Sequence, residues 1–225
     1  MKTKTKVKAA PKPANKPTLV CLLLDRSGSM GSCKNEVIGG FNAYVDGLKD
    51  EKNMRFTLTQ FDSGGIDVLH NAVLVASVKK LTEATYQPRG NTPLYDAMGK
   101  TIRAAQAKAG DKYKVLFVTQ TDGQENASSE WNHQSIRELI KSMEDGQHWT
   151  FVYLGMGPEG WSQMQAISHG TQSVGNNMKF TGATAKQAFA SNIRATRKYA
   201  RGGQGVCSVS ASFYGDAGVD KDQTK

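Results

Sequence analysis

The chain has 225 residues, of which 38% are hydrophobic and 22% charged, and it carries a net charge of +9. That length supports one large domain or two small ones, with a core that needs no disulfides, and the composition is globular rather than disordered. The longest purely apolar stretch, Leu19 to Leu24, falls far short of the ~20 residues needed to span a bilayer, so no membrane association is expected.

The charge is uneven along the chain. Residues 1–17 hold Lys2, Lys4, Lys6, Lys8, Lys12 and Lys16 and no acid, with Pro11, Pro13 and Pro17 among them. This segment reads as a disordered or extended basic tail. Two readings stay open for it: an arm for nucleic acid or another acidic surface, or a solubilising tail without a fixed partner.

From Thr18 the pattern changes. Thr18 to Leu24 is a continuous apolar run ending in Asp25 and a Gly/Ser loop, which predicts a strand buried on both faces. Val37, Ile38, Phe41, Val45 and Leu48 recur at helix-face spacing. Met54 to Phe61 predicts a second strand, and Val68 to Val78 a third, interrupted near His70-Asn71. Thr92-Pro93 opens a helix, with Thr92 at the N-cap and Leu94, Met98 and Ile102 along one side. Val115 to Val118 predicts another buried strand, followed by the polar loop Thr121 to Ser129. Ile136, Leu139, Ile140 and Met143 mark a helix, and Trp149 to Leu154 a strand stopped by Gly155. A short helix covers Trp161 to Ile167, and Thr184 with Gln187 predicts a capping box for a last helix towards Arg201.

Alternating strands and helices imply a doubly wound α/β domain with a mostly parallel sheet. Its expected extent is residues 18–201, with residues 202–225 as a C-terminal extension. In such sheets ligands bind beyond the C-terminal strand ends. The residues there are Asp25-Arg26-Ser27-Gly28-Ser29, Gly90-Asn91-Thr92-Pro93 and Asp122-Gly123. They offer two carboxylates and three hydroxyls, a hard oxygen set suited to Mg²⁺ or Mn²⁺ rather than zinc. A cation held largely by hydroxyls and water can accept one more anionic oxygen, which points to a carboxylate from a partner.

Asp25, Ser27, Ser29, Thr92 and Asp122, in that order, resemble the metal-ion-dependent adhesion site of von Willebrand factor type A domains. Gly90-Asn91-Thr92-Pro93-Leu94 and Thr121-Asp122-Gly123-Gln124-Glu125-Asn126 are similar to the second and third metal loops of its stand-alone bacterial and phage members. The resemblance implies a six-stranded sheet with one antiparallel edge strand. It implies that Ser27 and Ser29 bind the metal directly, that Asp25 and Asp122 do so directly or through water, and that Thr92 exchanges between direct and indirect contact.

Asp62, after the second strand, and Glu125 either orient ligands or water, or serve as ordinary turn residues. Arg26 is expected to be solvated, or else to meet an acidic partner. Arg194, Arg197, Lys198 and Arg201 share one helix face, for phosphates or for the negative end of their own helix. His70, His133, His148 and His169 show no metal-ligand spacing, and Cys21, Cys33 and Cys207 form no disulfide or zinc framework. The cysteine usage, and the lack of a signal-peptide apolar region, lead to an expected cytoplasmic location, or a virion if the chain is phage-encoded.

The expected function is metal-dependent capture of an Asp or Glu of another protein, within a bacterial or phage multi-protein assembly and without catalysis. Two alternatives remain. One is a nucleic-acid-associated protein that binds through its lysine tail and keeps a structural metal site. The other is a metal-dependent phosphoester hydrolase, which would lack an evident general base.

Overall fold

Eight consecutive buried residues, Thr18–Asp25, form the central strand β1 of a computed structural model that describes residues 16–146, 148–202 and 213–214. A strand this apolar is stable only when covered on both faces, and the sheet order β3-β2-β1-β4-β5-β6 puts it in the middle. The other strands are β2 (Met54–Asp62), β3 (Gly65–Leu74), β4 (Lys114–Thr121), β5 (Trp149–Met156) and β6 (Asn177–Phe180). All neighbours run parallel except β2 and β3. The helices are α1 (Lys34–Leu48), α2 (Leu94–Ala109), α3 (His133–Asp145), α4 (Gly157–Ser168) and α5 (Ala185–Arg201).

The alternation of β1 sorts the core into two layers. Val20, Leu22 and Leu24 pack with α1 and α5 through Phe41, Val45 and Phe189. Leu19, Cys21 and Leu23 pack with α2, α3 and α4 through Met98, Ile140 and Met164. This mixed, mostly parallel sheet flanked by helices is the fold expected from the sequence, including the antiparallel edge.

Local expectations needed correction in several places. The third strand starts at Gly65 and ends at Leu74, and Val75–Ser77 is a 3₁₀ turn. Its interruption is real: the β2–β3 register shifts around Leu58, and Ala72 sits at φ 50°. Gly155 does not stop β5, because Thr121 and Lys179 supply it with ladder partners on both sides. The four-residue β6 is too short to show a periodicity.

Neither predicted threonine cap forms. Helix α2 begins one residue late, with Pro93 at the cap position and no side-chain cap bond. Its first amides are met by another loop: Tyr95 N–H donates to Glu125 Oε2 at 2.9 Å and Asp96 N–H to Ser128 Oγ at 3.0 Å. At α5 the Thr184 hydroxyl accepts from Thr181 N–H instead, and no capping box forms with Gln187.

The basic stripe on α5 is partly a clamp. Arg197 and Arg201 both reach Glu51, at 3.6 and 2.5 Å, just beyond α1. Lys114, at the start of β4, donates to the carbonyls of Tyr199, Ala200 and Gly202 and so caps the α5 C-terminus.

The lysine tail through residue 15 lies outside the described residues, as does most of the segment beyond Gly202. Within the latter, Phe213 and Tyr214 are buried, and Phe213 packs beside Tyr199. At least these two residues join the core layer of α1 and α5. Among the described residues no helix is long and apolar enough to cross a membrane.

Candidate functional site

Three segments meet at the C-terminal rim of the sheet because β1, β4 and the start of α2 are neighbours. After β1 the chain extends at Ser27 and turns through a 3₁₀ segment from Gly28 to Cys33. Gly28 N–H donates to Gly90 O at 3.0 Å. A Cβ on Gly28 would stand 3.3 Å from that carbonyl, so the glycine serves the close approach of the second loop.

Asp25 is fully buried. Its Oδ1 accepts from Ser27 N–H at 2.7 Å and its Oδ2 from the Thr121 hydroxyl at 2.5 Å. The Ser27 and Ser29 hydroxyls lie 3.2 Å apart, and Ser29 Oγ donates to Asp122 Oδ1 at 2.8 Å. A Cβ placed on Gly123 would lie 3.5 Å from Ser29 Oγ and 4.0 Å from Thr92 Oγ1. The five residues singled out from the sequence are therefore neighbours around one small volume.

Their charge state follows from burial. Burial pushes Asp25 up to about 6, against the hydrogen bonds from Thr121 and Ser27, and the Asp122 charge adds to the rise. Asp122 is also raised, first by burial and further by Glu159, while the Ser29 hydrogen bond opposes the shift. No lysine or arginine among the described residues forms an ion pair with either carboxylate. Buried carboxylates are stable as anions only when compensated.

The arginine inside the loop does not supply that compensation. Arg26 is buried, not solvated; it donates to Asp62 at 2.7 Å and to Gln60 at 3.3 Å and forms an ion pair with Asp67 at 2.8 Å. Asp62 also takes Arg89 at 3.0 Å and the Gly64 amide at 2.6 Å. Burial alone would raise Asp62, but the Arg26 hydrogen bond, the Gly64 amide, the Arg26 charge and the Arg89 hydrogen bond outweigh it and hold the carboxyl below its usual range. Asp62 hydrogen-bonds none of the five candidate ligands; it ties the first loop, through Arg26, to the second, through Arg89.

Glu125 also stays off the site. It accepts from the amides of Tyr95, Ala127 and Ser128. Asp96 answers in the other direction, accepting from the amides of Ser129, Glu130 and Trp131. Asn126 completes the latch: Thr92 N–H donates to its side chain at 2.8 Å, and its own N–H to Thr92 O at 3.2 Å. Thr92 and Asp122 thus belong to one block. The sequence places Thr121 and Asn126 in the third loop without giving either a role, and it gives no local signal for Asp96.

Two carboxylates with no basic partner among the described residues and three nearby hydroxyls suit a hard divalent cation, and the Cys33 thiol that lines the same groove as Asp122 is kept protonated by burial. Among the described residues no three of His, Cys, Asp and Glu come together as a metal cluster, so any such ion would depend on the hydroxyls.

A family model for the von Willebrand factor type A domain matches residues 20–192. No curated protein sequence matches the chain. Among solved structures, proximal thread matrix protein 1 from the mussel byssus, with a zinc-occupied MIDAS motif, superposes with a TM-score of 0.58 at 14% identity, covering 80% of this chain and 48% of that one. The pilus adhesin SpaC from Lactobacillus rhamnosus GG gives 0.62 at 14% identity, covering 84% and 31%. The vWF domain of the type V pili tip protein Mfa5 from Porphyromonas gingivalis gives 0.60 at 9% identity, covering 85% and 99%. The chain spans about half the length of the mussel protein and about a third of the adhesin, and at these identities the likeness is one of fold.

Proposed function

The chain belongs to the von Willebrand factor type A domain family, and we propose that its rim is a metal-dependent docking site for an acidic side chain of another protein. Asp25, Ser27, Ser29, Thr92 and Asp122 would hold Mg²⁺ or Mn²⁺. The reading is of a binding module rather than an enzyme, acting in a bacterial or phage multi-protein assembly. The observation that carries it is the pair Asp25 and Asp122, one carboxylate fully buried and the other half-buried, which share a hydroxyl-lined volume and have no basic partner among the described residues.

When bound, the ion supplies a Lewis-acidic position that an anionic oxygen can fill. The protein's part is to hold the donors ready. The Ser27 amide and the Thr121 hydroxyl fix the orientation of the Asp25 carboxylate. Ser29 donates its hydroxyl hydrogen to Asp122 and so accepts from Ser27, which leaves one Ser29 lone pair to face a cation. Two carboxylates balance a divalent charge, so an incoming carboxylate finds a site near neutrality rather than a repulsive one. Zinc occupies a MIDAS motif in the mussel protein, which supports a divalent ion here, and the oxygen-only donor set supports a harder one.

Calorimetric titration with Mg²⁺ and Mn²⁺ tests the reading. Wild type is expected to bind one ion, and Asp25→Ala and Asp122→Ala none. Equal binding by both variants would place the metal elsewhere and remove the basis for this function.

A further inference from the structure

Away from the rim, a cavity of about 530 Å³ runs between α2 and the sheet edge at β3. Ile66, Val68 and Ala104 line it, so its surface is largely apolar, and it lies within the size range of specific ligand sites. Two further observations bear on what fills it.

The first is the strand beside it. β3 is an edge strand of ten residues, paired only with β2. Val68, Leu69 and Leu74 on it are three of the four large hydrophobic side chains exposed among the described residues. A long apolar edge is a template for another strand.

The second is charge. The lining contains Lys100 and Lys108 and no acid. Lys100 meets Glu130 at 2.7 Å on the surface, whereas no acid among the described residues pairs with Lys108.

We infer that the β3 edge and the cavity behind it bind an extended, acid-bearing apolar segment of a partner protein by strand addition. The segment's backbone continues the sheet along β3. Its alternate apolar side chains enter the cavity, and its acids meet Lys108 and Lys100. A second copy of this chain is the poorer occupant, because it would bring the same two lysines to the same surface.

The inference does not depend on the metal reading, and its test is run in EDTA. The probe is fluorescein-labelled Glu-Glu-Val-Thr-Val-Thr-Val-Thr, followed by anisotropy with the full chain. A control peptide replaces both glutamates by lysine. Binding of the acidic probe is expected, with at least about tenfold weaker binding of the control from charge reversal. Ala104→Trp, an exposed position that fills the cavity, is expected to lose binding by a similar factor while the circular dichroism spectrum is unchanged. Equal affinity for both peptides, or for wild type and Ala104→Trp, overturns the inference. So does a dimer in sedimentation that Val68→Lys dissolves, since a second copy would then occupy the edge.

Discussion

Arg26 turns its guanidinium away from the adjacent Asp25 and onto Asp62, with Nε 2.7 Å from Oδ2. Two consequences follow from this one bond. The first and second loops are braced, because Asp62 also takes Arg89. The carboxylates of Asp25 and Asp122 are also left without the one cation that the loop itself contains.

The brace can be measured. Asp62→Ala leaves a buried guanidinium with only Asp67 and Gln60, and removing one partner of a buried pair is strongly destabilising. We expect a loss of about 2 kcal/mol or more in urea unfolding. Arg89→Ala, whose side chain is mostly exposed, should cost under about 1 kcal/mol. Equal effects would mean that Asp62 works through Arg89 rather than Arg26.

The site should respond to pH. The folded-state value of Asp25 is about 6, against an ordinary carboxyl value of 3.8, and Asp122 is shifted in the same direction. A raised acid binds more protons when folded than when unfolded. Without metal, its contribution to stability is therefore greatest at low pH and is lost as pH rises from about 4 through 6. Metal needs the deprotonated carboxylates, so it should reverse this trend. Mg²⁺ affinity should climb between about pH 5 and 7, and the stabilisation by excess Mg²⁺ should be larger at about pH 7 than at about pH 5, read from paired melting curves.

Thr92 offers a separation of metal from partner. Its backbone is pinned on both sides by Asn126, so Thr92→Ala removes a hydroxyl with little change to the loop. It leaves both carboxylates in place. We expect Mg²⁺ affinity to fall several-fold at most, and metal-dependent partner capture to fall further. If Mg²⁺ binding disappears altogether, Thr92 is a principal ligand of the resting site.

The layer of α1 and α5 depends on a missing side chain. A Cβ on Gly40 would stand 1.8 Å from the Phe189 ring. Gly40→Ala should destabilise by about 1–3 kcal/mol as an overpacked contact, despite the better helix propensity of alanine. Pairing it with Phe189→Leu should recover part of the loss, which a double-mutant cycle would detect.

The sequence by itself determined the sheet class and the approximate places of its five longer strands, and it singled out five residues that the sheet brings to one rim. Each of these is a local signal: a continuous apolar run such as Leu19 to Leu24 must be covered on both faces, and oxygen donors after strand ends collect at one edge of a parallel sheet. The tertiary structure decided the partners. Thr92 is predicted to cap its own helix, yet Glu125 and Ser128 from the next loop meet those α2 amides. Arg26 reads as a solvated loop residue, yet it is buried against Asp62, 36 positions away. Four-residue β6 and the buried pair Phe213 and Tyr214 likewise show no periodicity of their own. In each case the deciding interaction joins residues far apart in the chain, and local pattern carries no record of which donor will find which acceptor once the sheet has brought its loops together.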